Sequence, residues 1–360
     1  MAIDLPRHLD VLGLTLAEYA AARDMHPQAA RPHYARLLRR GTGLDLPEVS
    51  RREDEGDVVK FCLPVASSPG PNLETESVIL PMNSFRGTSW KTLCLSSQVG
   101  CRMGCTFCET ARMGLVRNLT AAEIVRQRVA ARHLLSDPAR PESPGYRYFD
   151  DGIQNIVFMG MGEPFDNFTE VTQAIRVLSD PAGLDFPMSQ ITVSTVGRID
   201  GLRALGELGW PNLRLAISLN APNDRLRDEL MPINKGMPLA DLQRALLDYP
   251  MSRKGLFLVE YVLLKDVNDA DEHADQVAAW VAPLRCIVNL IPYNPQRDAP
   301  YAAPSDETTL RFLTRLRSHG VFVKRRVTQG RDLMGACGQL GNPALRRTRA
   351  VKPGPTPSFA

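Results

Sequence analysis

Three cysteines stand close together in the segment CRMGCTFC, where Cys101, Cys105 and Cys108 follow the spacing C-x3-C-x2-C. Cysteine thiolates bind iron–sulfur clusters, and a 4Fe–4S cluster has four iron corners. Three local cysteines therefore leave one iron without a protein ligand and free to bind a small molecule. Gly100 and Gly104 give this segment the backbone freedom to wrap around a cluster.

The amino and carboxylate groups of S-adenosylmethionine (SAM) suit an open iron of this kind. Electron transfer into the sulfonium of SAM would then produce a 5′-deoxyadenosyl radical. A structural zinc site and a cluster with a remote fourth cysteine are the alternatives. Zinc sites usually carry two C-x2-C pairs or Cys/His pairs, whereas this segment has one C-x2-C and no histidine follows it before His133.

A glycine-rich segment, VFMGMGEP, contains Gly162 and Glu163. Glycines allow the backbone to approach a ligand closely, and the Glu163 carboxylate is suited to a charge-assisted hydrogen bond with the SAM ammonium. An ordinary strand-to-helix turn is the alternative. The position of the segment, one predicted β/α unit after the cysteines, favours a cofactor site.

Alternating strand and helix patterns predict the elements that hold these segments. Short runs rich in Val, Ile and Leu and bounded by Gly, Pro or Asn predict strands at 91–97, 154–160, 190–197, 213–220, 256–264 and 286–294. Helical patterns lie between and after them at 120–135, 168–178, 199–208, 239–248, 271–281 and 308–318. Six parallel β/α units, with a seventh strand near 321–327, predict an α/β fold. An open or partial (β/α) barrel and a doubly wound sheet both fit.

Three regions are predicted along the chain. Residues 1–70 form a small helical region, with helices expected at 15–25, where Glu18 follows the Thr15 cap by three residues, and at 29–40. A Pro/Ser/Gly break at 67–71 separates it from a main domain at 72–342. Residues 343–360 form a basic, Pro-rich tail that we predict to be disordered.

Composition narrows the class of protein. The chain has 360 residues, of which 44% are apolar, enough for one large α/β domain with an appendage. Its formal charge is only +3, but the last 40 residues hold eight Lys or Arg and one acid. Such a basic end suits a phosphate-rich partner, although a solvated tail is an equal alternative.

The sequence also bears on location and assembly. The start, MAIDLPRHLD, lacks the pattern of a targeting signal, and no apolar run reaches membrane-spanning length, so we expect a cytoplasmic protein. There, seven cysteines at clustered spacing indicate metal or redox chemistry rather than a disulfide framework. The absence of a long heptad pattern gives no support for a coiled-coil assembly, and we expect a monomer.

Nine segments, which include the cysteine segment and the glycine-rich segment described above, occur in order over 72–342. They are ETESVILP, TLCLSSQVGCRMGCTFCETARMGLVRNLTAAEI, VFMGMGEP, ITVSTVGR, LAISLNAPND with RDELMPIN, VEYVLL, VNLIPYNP and GACGQL. With them the chain resembles the radical SAM RNA adenine methyltransferases, which modify C2 or C8 of an adenosine in 23S rRNA, the C2 members also modifying tRNA. The resemblance implies a partial (β/α)6-type radical SAM barrel with a small helical N-terminal domain, residues 1–70, that is expected to recognise RNA.

The resemblance also implies a role for residues outside the cluster segment. Cys337 is expected to be methylated by one SAM, and the radical from a second SAM would activate that methyl group for addition to adenine. Cys94 would then release the product by forming a transient disulfide with Cys337. Glu76, rather than the nearby Glu74, would accept the proton from the adenine carbon. A flavodoxin-type protein is the expected electron donor.

SAM contacts carried over from the family form a small set. They are Gly162, Glu163, Ser194, Ser218, Leu219, Asn220 and Asn294. Ser194 and Asn294 lie at the C-terminal ends of predicted strands, where the active sites of β/α barrels gather. Without the resemblance, Ser194 and Asn294 would each be interpreted as a polar residue at the end of a strand. Cys94 would be interpreted as a core residue and Cys337 as an inert loop thiol. Cys62 and Cys286 match no motif and are interpreted as structural.

Several alternatives stay open. The family pattern favours C2 over C8, the antibiotic-resistance type of methylation, and the RNA could be 23S rRNA, tRNA or another RNA. A radical SAM enzyme that acts on a protein shares the cluster segment but does not need Cys94 and Cys337. A non-catalytic RNA-binding module with a structural metal would not need Glu163.

Overall fold

In a computed structural model of the chain, the described residues are 10–40, 44, 48–65, 73–84, 87–135, 151–296 and 298–346. The strands are β1 (Arg51–Glu55), β2 (Val58–Val65), β3 (Leu73–Asn83), β4 (Ser89–Cys94), β5 (Gln98–Gly100), β6 (Leu115–Asn118), β7 (Ile153–Phe158), β8 (Ile191–Thr195), β9 (Arg214–Ser218), β10 (Phe257–Leu263), β11 (Cys286–Pro292) and β12 (Val323–Arg325). The α-helices are α1 (Leu16–Ala22), α2 (Pro27–Arg40), α3 (Glu109–Met113), α4 (Ala121–Leu135), α5 (Phe168–Ser179), α6 (Ile199–Glu207), α7 (Asp224–Leu230), α8 (Leu239–Leu247), α9 (Asp271–Val281) and α10 (Asp306–Ser318).

The chain divides into two compact units. The first comprises Met1–Val99, Asn118–Gly160 and Asn167–Ile191, and the second comprises Gly100–Arg117, Met161–Asp166 and Thr192–Ala360. The predicted tail, apart from residues 343–346, lies outside the described residues. The domain boundaries near residues 70 and 343 stay predictions.

In the first unit, antiparallel pairing joins β1 to β2, β2 to β3 and β3 to β4, and β4 continues into a parallel pair with β7. One face of β3 meets α4, because the Ser77 hydroxyl donates a hydrogen bond to the Gln127 side chain at 2.7 Å. Side chains alternate along a strand, so Glu76 and Val78 point to the other face. This face carries the residues predicted to be catalytic in this unit.

The N-terminal helices form as predicted, and the segment after them differs. Thr15 caps α1 in a capping box with Glu18, because each satisfies a backbone N–H group that the first turn leaves free. Residues 51–65, however, form the strands β1 and β2. The charged sequence RREDE does not resemble a strand, but β1 is an edge strand, where charged side chains reach solvent and discourage further pairing.

In the second unit, β8 to β12 pair in chain order, and each pair is parallel. Tyr261 of β10 stacks on Phe312 of α10 with ring centroids 5.4 Å apart, which identifies the face covered by helices. Side chains alternate along a strand, so the residues next to Tyr261 on β10 point to the opposite face, which we call the inner face. Residues in register on neighbouring strands lie on the same face.

The predicted α/β fold with mostly parallel strands is confirmed. Each of the seven predicted strands overlaps one of β4 and β7–β12, and the ends differ by a few residues. Within the described ranges, every helix is too short or too polar to cross a lipid bilayer.

Candidate active site

The cluster loop, residues 100–108, precedes α3 in the second unit. Gly100 has a φ of +76°, and a Cβ atom there would lie 1.9 Å from the carbonyl oxygen of Gly114. Gly104 has a φ of +75°. An L side chain is strained in this left-handed region, and at Gly100 it has no room. The two glycines therefore fix the course of the loop, as the sequence predicted.

The three cysteines of the loop lie in an apolar environment with Leu230 and Tyr293. Cys101 and Cys105 expose only 8% and 9% of their surface, and Cys108 is half-buried. Burial raises the pKa of all three thiols, and the neighbouring cysteines raise the pKa of Cys101 and Cys105 further. The thiolates would therefore be costly unless a positively charged group joined them.

This donor set fits a 4Fe–4S cluster. Among the described residues, no group of three or more His, Cys, Asp or Glu side chains converges on a point where a single metal ion would bind. In a 4Fe–4S cluster each thiolate binds its own iron, so its ligands surround a group of atoms rather than one point. The two buried thiols and the half-buried Cys108 thiol, all on one loop, supply three of the four corners.

Glu163 lies in the loop of the second unit that contains Gly162, whose φ is +102°. Its carboxylate is 2% exposed and accepts hydrogen bonds from the backbone N–H groups of Phe165 (3.1 Å) and Val196 (2.9 Å). Burial raises the pKa of Glu163 to about 7, against the lowering effect of these bonds and of Arg198. A buried carboxylate held in this way is suited to an ammonium ligand.

Glu163→Gln is expected to weaken SAM binding about 10- to 100-fold, because a charge-assisted hydrogen bond contributes roughly 1.5–3 kcal/mol. The wild-type affinity should also fall as the pH is lowered through about 7, where the carboxylate takes up a proton. The variant should lose this pH dependence. Equilibrium binding of SAM to the anaerobically reconstituted protein between pH 6 and 8 measures both effects.

The stability of the Glu163→Gln variant distinguishes a role of Glu163 in SAM binding from a role in folding. A carboxyl whose pKa is raised in the folded state stabilises the fold while it is protonated, and this contribution is lost as the pH rises through about 7. Without SAM, Glu163→Gln should therefore be no less stable than the wild type at pH 8. A variant that unfolds more easily at pH 8 would indicate a structural role for Glu163 instead.

Ser194 and Ser218 share the inner face of the parallel strands. Ser194 is in register with Ala216, two residues before Ser218, and Ser218 is in register with Glu260, next to Tyr261 on β10. Both serines lie at or next to the C-terminal ends of their strands. The structure thus brings them together where the sequence predicted SAM contacts.

The side chains of Leu219 and Asn220 make contacts within the protein. The side-chain oxygen of Asn220 accepts a hydrogen bond from the Val262 N–H at 3.0 Å, and Leu219 is fully buried. Asn220 has a φ of +55°, a conformation that asparagine tolerates better than most residues. These two residues therefore shape the end of β9, and their side chains contribute no unengaged polar group to the inner face.

Arg227 of α7 holds the ends of β8 and β9, and the sequence did not single it out. Its guanidinium is 1% exposed and donates to the carbonyl oxygens of Val196 (2.6 Å), Ser218 (3.2 Å) and Leu219 (3.1 Å). It also donates to the Asn234 side chain at 2.7 Å. Burial lowers the pKa of Arg227 to about 10. The segment RDELMPIN supplies both residues.

Arg227→Met is expected to lower the free energy of unfolding by about 3 kcal/mol, because it leaves several buried carbonyl oxygens without a donor. Arg225→Met is the matched control on the same helix. Its side chain is 79% exposed and pairs with Glu229 on the helix surface, so we expect a change within about 0.5 kcal/mol. Thermal unfolding of both variants measures the difference. Equal stability would mean that Arg227 does not hold the strand ends.

Cys337 lies in a loop that Asn294 contacts directly. The Asn294 amide donates to the Cys337 carbonyl oxygen at 3.4 Å, and its oxygen accepts from the Thr328 hydroxyl at 3.0 Å. The Cys337 side chain is exposed, although the residues around it are largely buried. The surrounding protein nevertheless raises the pKa of the thiol by desolvation, and Glu260 and Cys108 raise it further. Cys337 is thus an accessible thiol close to the cluster loop.

The Cys337 loop is fastened to the cluster loop by Gln296, which the sequence analysis missed. Its amide donates to the carbonyl oxygens of Phe107 (2.7 Å) and Gly338 (3.0 Å). The Glu109 N–H also donates to Gly338 at 2.8 Å, and the Thr110 hydroxyl donates to the Leu340 carbonyl oxygen at 2.6 Å. Residues more than 220 positions apart in the chain are therefore held side by side.

Cys94 and Glu76 belong to the first unit, on the face turned away from α4. Cys94 is in register with Val78, and Val78 follows Glu76 by two residues on β3. Cys94 and Glu76 therefore share this face. Glu76 is 2% exposed, and its carboxylate forms a buried ion pair with Lys60 at 2.8 Å. Cys62, interpreted as structural, lies directly opposite Glu76 on β2. The disulfide between Cys94 and Cys337 stays a prediction.

A polar row on the inner face was also missed. Ser218, Glu260, Asn289 and Lys324 are in register across β9 to β12. The Asn289 amide donates to the Glu260 carboxylate at 2.8 Å, and both residues are largely buried. Burial raises the pKa of Glu260. The signal available in the sequence was a polar residue within each of two otherwise apolar strands.

Comparison with known proteins places these features in a family. Residues 95–277 match the model of the radical SAM superfamily. The probable dual-specificity RNA methyltransferase RlmN 1 of Protochlamydia amoebophila is 42% identical over 301 residues, which cover 84% of this chain and 78% of the relative. A dual-specificity RNA methyltransferase RlmN of Nitratidesulfovibrio vulgaris is 44% identical over 295 residues, or 82% and 77% of the two chains.

A solved structure agrees with these matches. The crystal structure of a radical SAM methyltransferase from Sphaerobacter thermophilus superposes with a TM-score of 0.79 at 34% identity. The match covers 91% of this chain and 98% of that protein. The expected radical SAM fold is thereby confirmed.

Proposed function

This chain belongs to the radical SAM superfamily and, within it, to the dual-specificity RNA methyltransferases, and from that membership we propose that it methylates C2 of an adenine in RNA. A radical SAM enzyme carries a 4Fe–4S cluster and uses SAM. Two SAM molecules are consumed per turnover in this family. One would provide the methyl group, and a cluster held by Cys101, Cys105 and Cys108 would, with the other, supply the radical that activates it.

The observation that carries the proposal is the accessible Cys337 thiol, which hydrogen bonds through Gln296 hold beside the cluster loop. A base as large as adenine needs an exposed carrier for the methyl group, and the carrier must lie close to the site where the radical forms. An enzyme that activates a protein has no need of such a thiol. We therefore assign Cys337 as the residue that carries the methyl group.

Each of the other residues has a proposed task. Cys101, Cys105 and Cys108 hold the cluster, and Glu163 with Gly162, Ser194, Asn294 and the 218–220 segment bind SAM. Glu76 accepts the proton from the adenine carbon, while Lys60 holds its carboxylate in place. Cys94 attacks the Cys337 sulfur, so that an S–S bond forms as the S–C bond to the product breaks. The released carbon takes the electron pair and a proton to become the methyl group, and the reductant supplied to the reaction returns the disulfide to two thiols.

The RNA substrate, the electron donor, the oligomeric state and the cellular location are proposed from the family. The relatives named above are RNA methyltransferases of dual specificity, so 23S rRNA and tRNA are both proposed as substrates. C2 is favoured over C8 because the match is to this group. We further propose a flavodoxin-type electron donor, a monomeric enzyme and a cytoplasmic location, where ribosomes and tRNA are found.

Nucleoside mass spectrometry tests the proposal. The reconstituted protein is incubated without oxygen with SAM, reductant and unmodified rRNA or tRNA, and the RNA is then digested. We expect 2-methyladenosine, and the RNA that carries it identifies the substrate. A peak of 8-methyladenosine would assign the C8 reaction instead. SAM cleavage without any methylated base in either RNA would contradict the proposed substrate.

A further inference from the structure

The basic edge, residues 322–331 with the sequence FVKRRVTQGR, includes β12 and the residues that follow it. It contains four cations, Lys324, Arg325, Arg326 and Arg331, and no acid. Among the described residues β12 is the last strand of its sheet and pairs with β11 alone. One side of the strand is therefore open to a partner.

Side chains of the basic edge reach solvent. Lys324, Arg325 and Arg331 are exposed, and Arg325 forms an ion pair with Asp306 of α10. Lys324 is in register with Asn289, which places it on the inner face, the face that carries Ser218 and Glu260. Phe322 and Val327 are 70% and 81% exposed. An exposed aromatic ring next to exposed cations is the combination with which proteins bind single-stranded nucleic acid.

The basic edge is joined to the Cys337 loop. Thr328 donates to the same Asn294 side chain that donates to the Cys337 carbonyl oxygen. Arg326 is close enough to lower the pKa of the Cys337 thiol, opposing the effect of desolvation. Any base that reaches Cys337 therefore brings its neighbouring phosphates close to these cations.

We propose that the basic edge binds the RNA strand next to the target adenine, with Lys324 and Arg331 on phosphates and Phe322 stacked on a base. This inference rests on the proposed function, which supplies the RNA. An adenine can reach a thiol only after it leaves its base stack, so the RNA at this point is single-stranded. Charge complementarity and the exposed ring both fit such a strand.

The test compares two double variants. Lys324→Gln/Arg331→Gln removes two cations of the basic edge. The control, Arg253→Gln/Lys254→Gln, removes two exposed cations from the loop before β10, at the end of the parallel strands opposite to the Cys337 loop. RNA methylation is measured as kcat and KM at several KCl concentrations, and SAM cleavage is measured without RNA.

The basic-edge variant is expected to raise the KM for RNA about tenfold and to reduce the slope of log(kcat/KM) against log[KCl] by about 1.4, or 0.7 for each lost contact with a single strand. The control should change neither quantity. Lys324→Gln alone should leave the RNA-independent cleavage of SAM unchanged, whereas Arg331 also donates to the Asn294 side chain at 3.5 Å. Phe322→Leu should raise KM about tenfold without changing the slope, because stacking is not electrostatic.

Other outcomes are equally clear. Unchanged KM and slope in the basic-edge variant would overturn the proposal, as would a loss of kcat alone, which would mean that these residues support the Cys337 loop. A change in oligomeric state with unchanged RNA affinity would assign the edge to self-association. If the wild type methylates no RNA, the proposed function fails, and equilibrium binding of the same RNAs decides: weaker binding by the variant supports the surface, and equal binding overturns it.

Discussion

Replacing Cys337 by alanine is expected to reduce RNA methylation to background, whereas replacing Cys94 by alanine is expected to leave RNA covalently attached to Cys337. Both results follow from one sequence of bonds. In the proposed mechanism, the methyl carbon is carried on the Cys337 sulfur, becomes bonded to the adenine carbon, and is released only when the Cys94 thiolate attacks that sulfur. Without Cys337 no such bond forms, and without Cys94 it persists.

Denaturing gel electrophoresis of each reaction detects the attached RNA, and nucleoside mass spectrometry measures the released product. The Cys337→Ala/Cys94→Ala double variant should give neither product nor adduct. Cys286→Ala is the matched control, because this half-buried cysteine lies at the start of β11, the end opposite to Asn294. Normal turnover by Cys337→Ala would remove the methyl carrier from the proposed mechanism. Normal turnover by Cys94→Ala would assign product release to another thiol.

Replacing Cys105 by serine is expected to abolish the cleavage of SAM as well as RNA methylation. The substitution changes the shape of this buried side chain little, since Cys105 is 9% exposed, but a serine hydroxyl is a poor ligand for iron where a thiolate is required. Iron and sulfide analysis, visible absorption and chromatography of 5′-deoxyadenosine follow the loss of the cluster and of SAM cleavage.

Cys286→Ser serves as the control for this experiment and should retain wild-type iron content. Different results are expected for the Cys105 and Cys337 variants. Cys105→Ser should lose both activities, while Cys337→Ala should still bind the cluster, because it leaves all three cluster ligands in place. Full iron content and SAM cleavage in Cys105→Ser would exclude it as a ligand.

Most of the parallel strands could be predicted because they are largely buried and read as short, mainly apolar runs. The strands β8 to β11, for example, were identified from such runs. The antiparallel strand β1 was not identified from the sequence. It is solvated at the edge of the sheet, so its charged residues do not form the apolar pattern that predicts a strand. Its position depends on pairing with β2, which only the folded chain provides.

The same distinction applies to the site. Residues with local spacing, such as the cluster cysteines, and residues within a family segment, such as Glu163, could be identified from the chain. The residues that position them could not. Lys60 reaches Glu76 through strand register, and Gln296 meets Phe107 across 189 residues of sequence. Contacts of this kind depend on topology, which spacing along the chain does not encode.

The two faces of the parallel strands give the enzyme freedom to change in evolution. Tyr261 and its neighbours on the helix-covered face hold the layers together, while Ser218, Glu260 and Asn289 line the other face. Consecutive residues of one strand therefore have different surroundings, one packed against the helices and the next on the face proposed to hold the site. A descendant could acquire a new substrate through a few changes at alternate positions of β9 to β12, while the packing that keeps it folded is inherited intact.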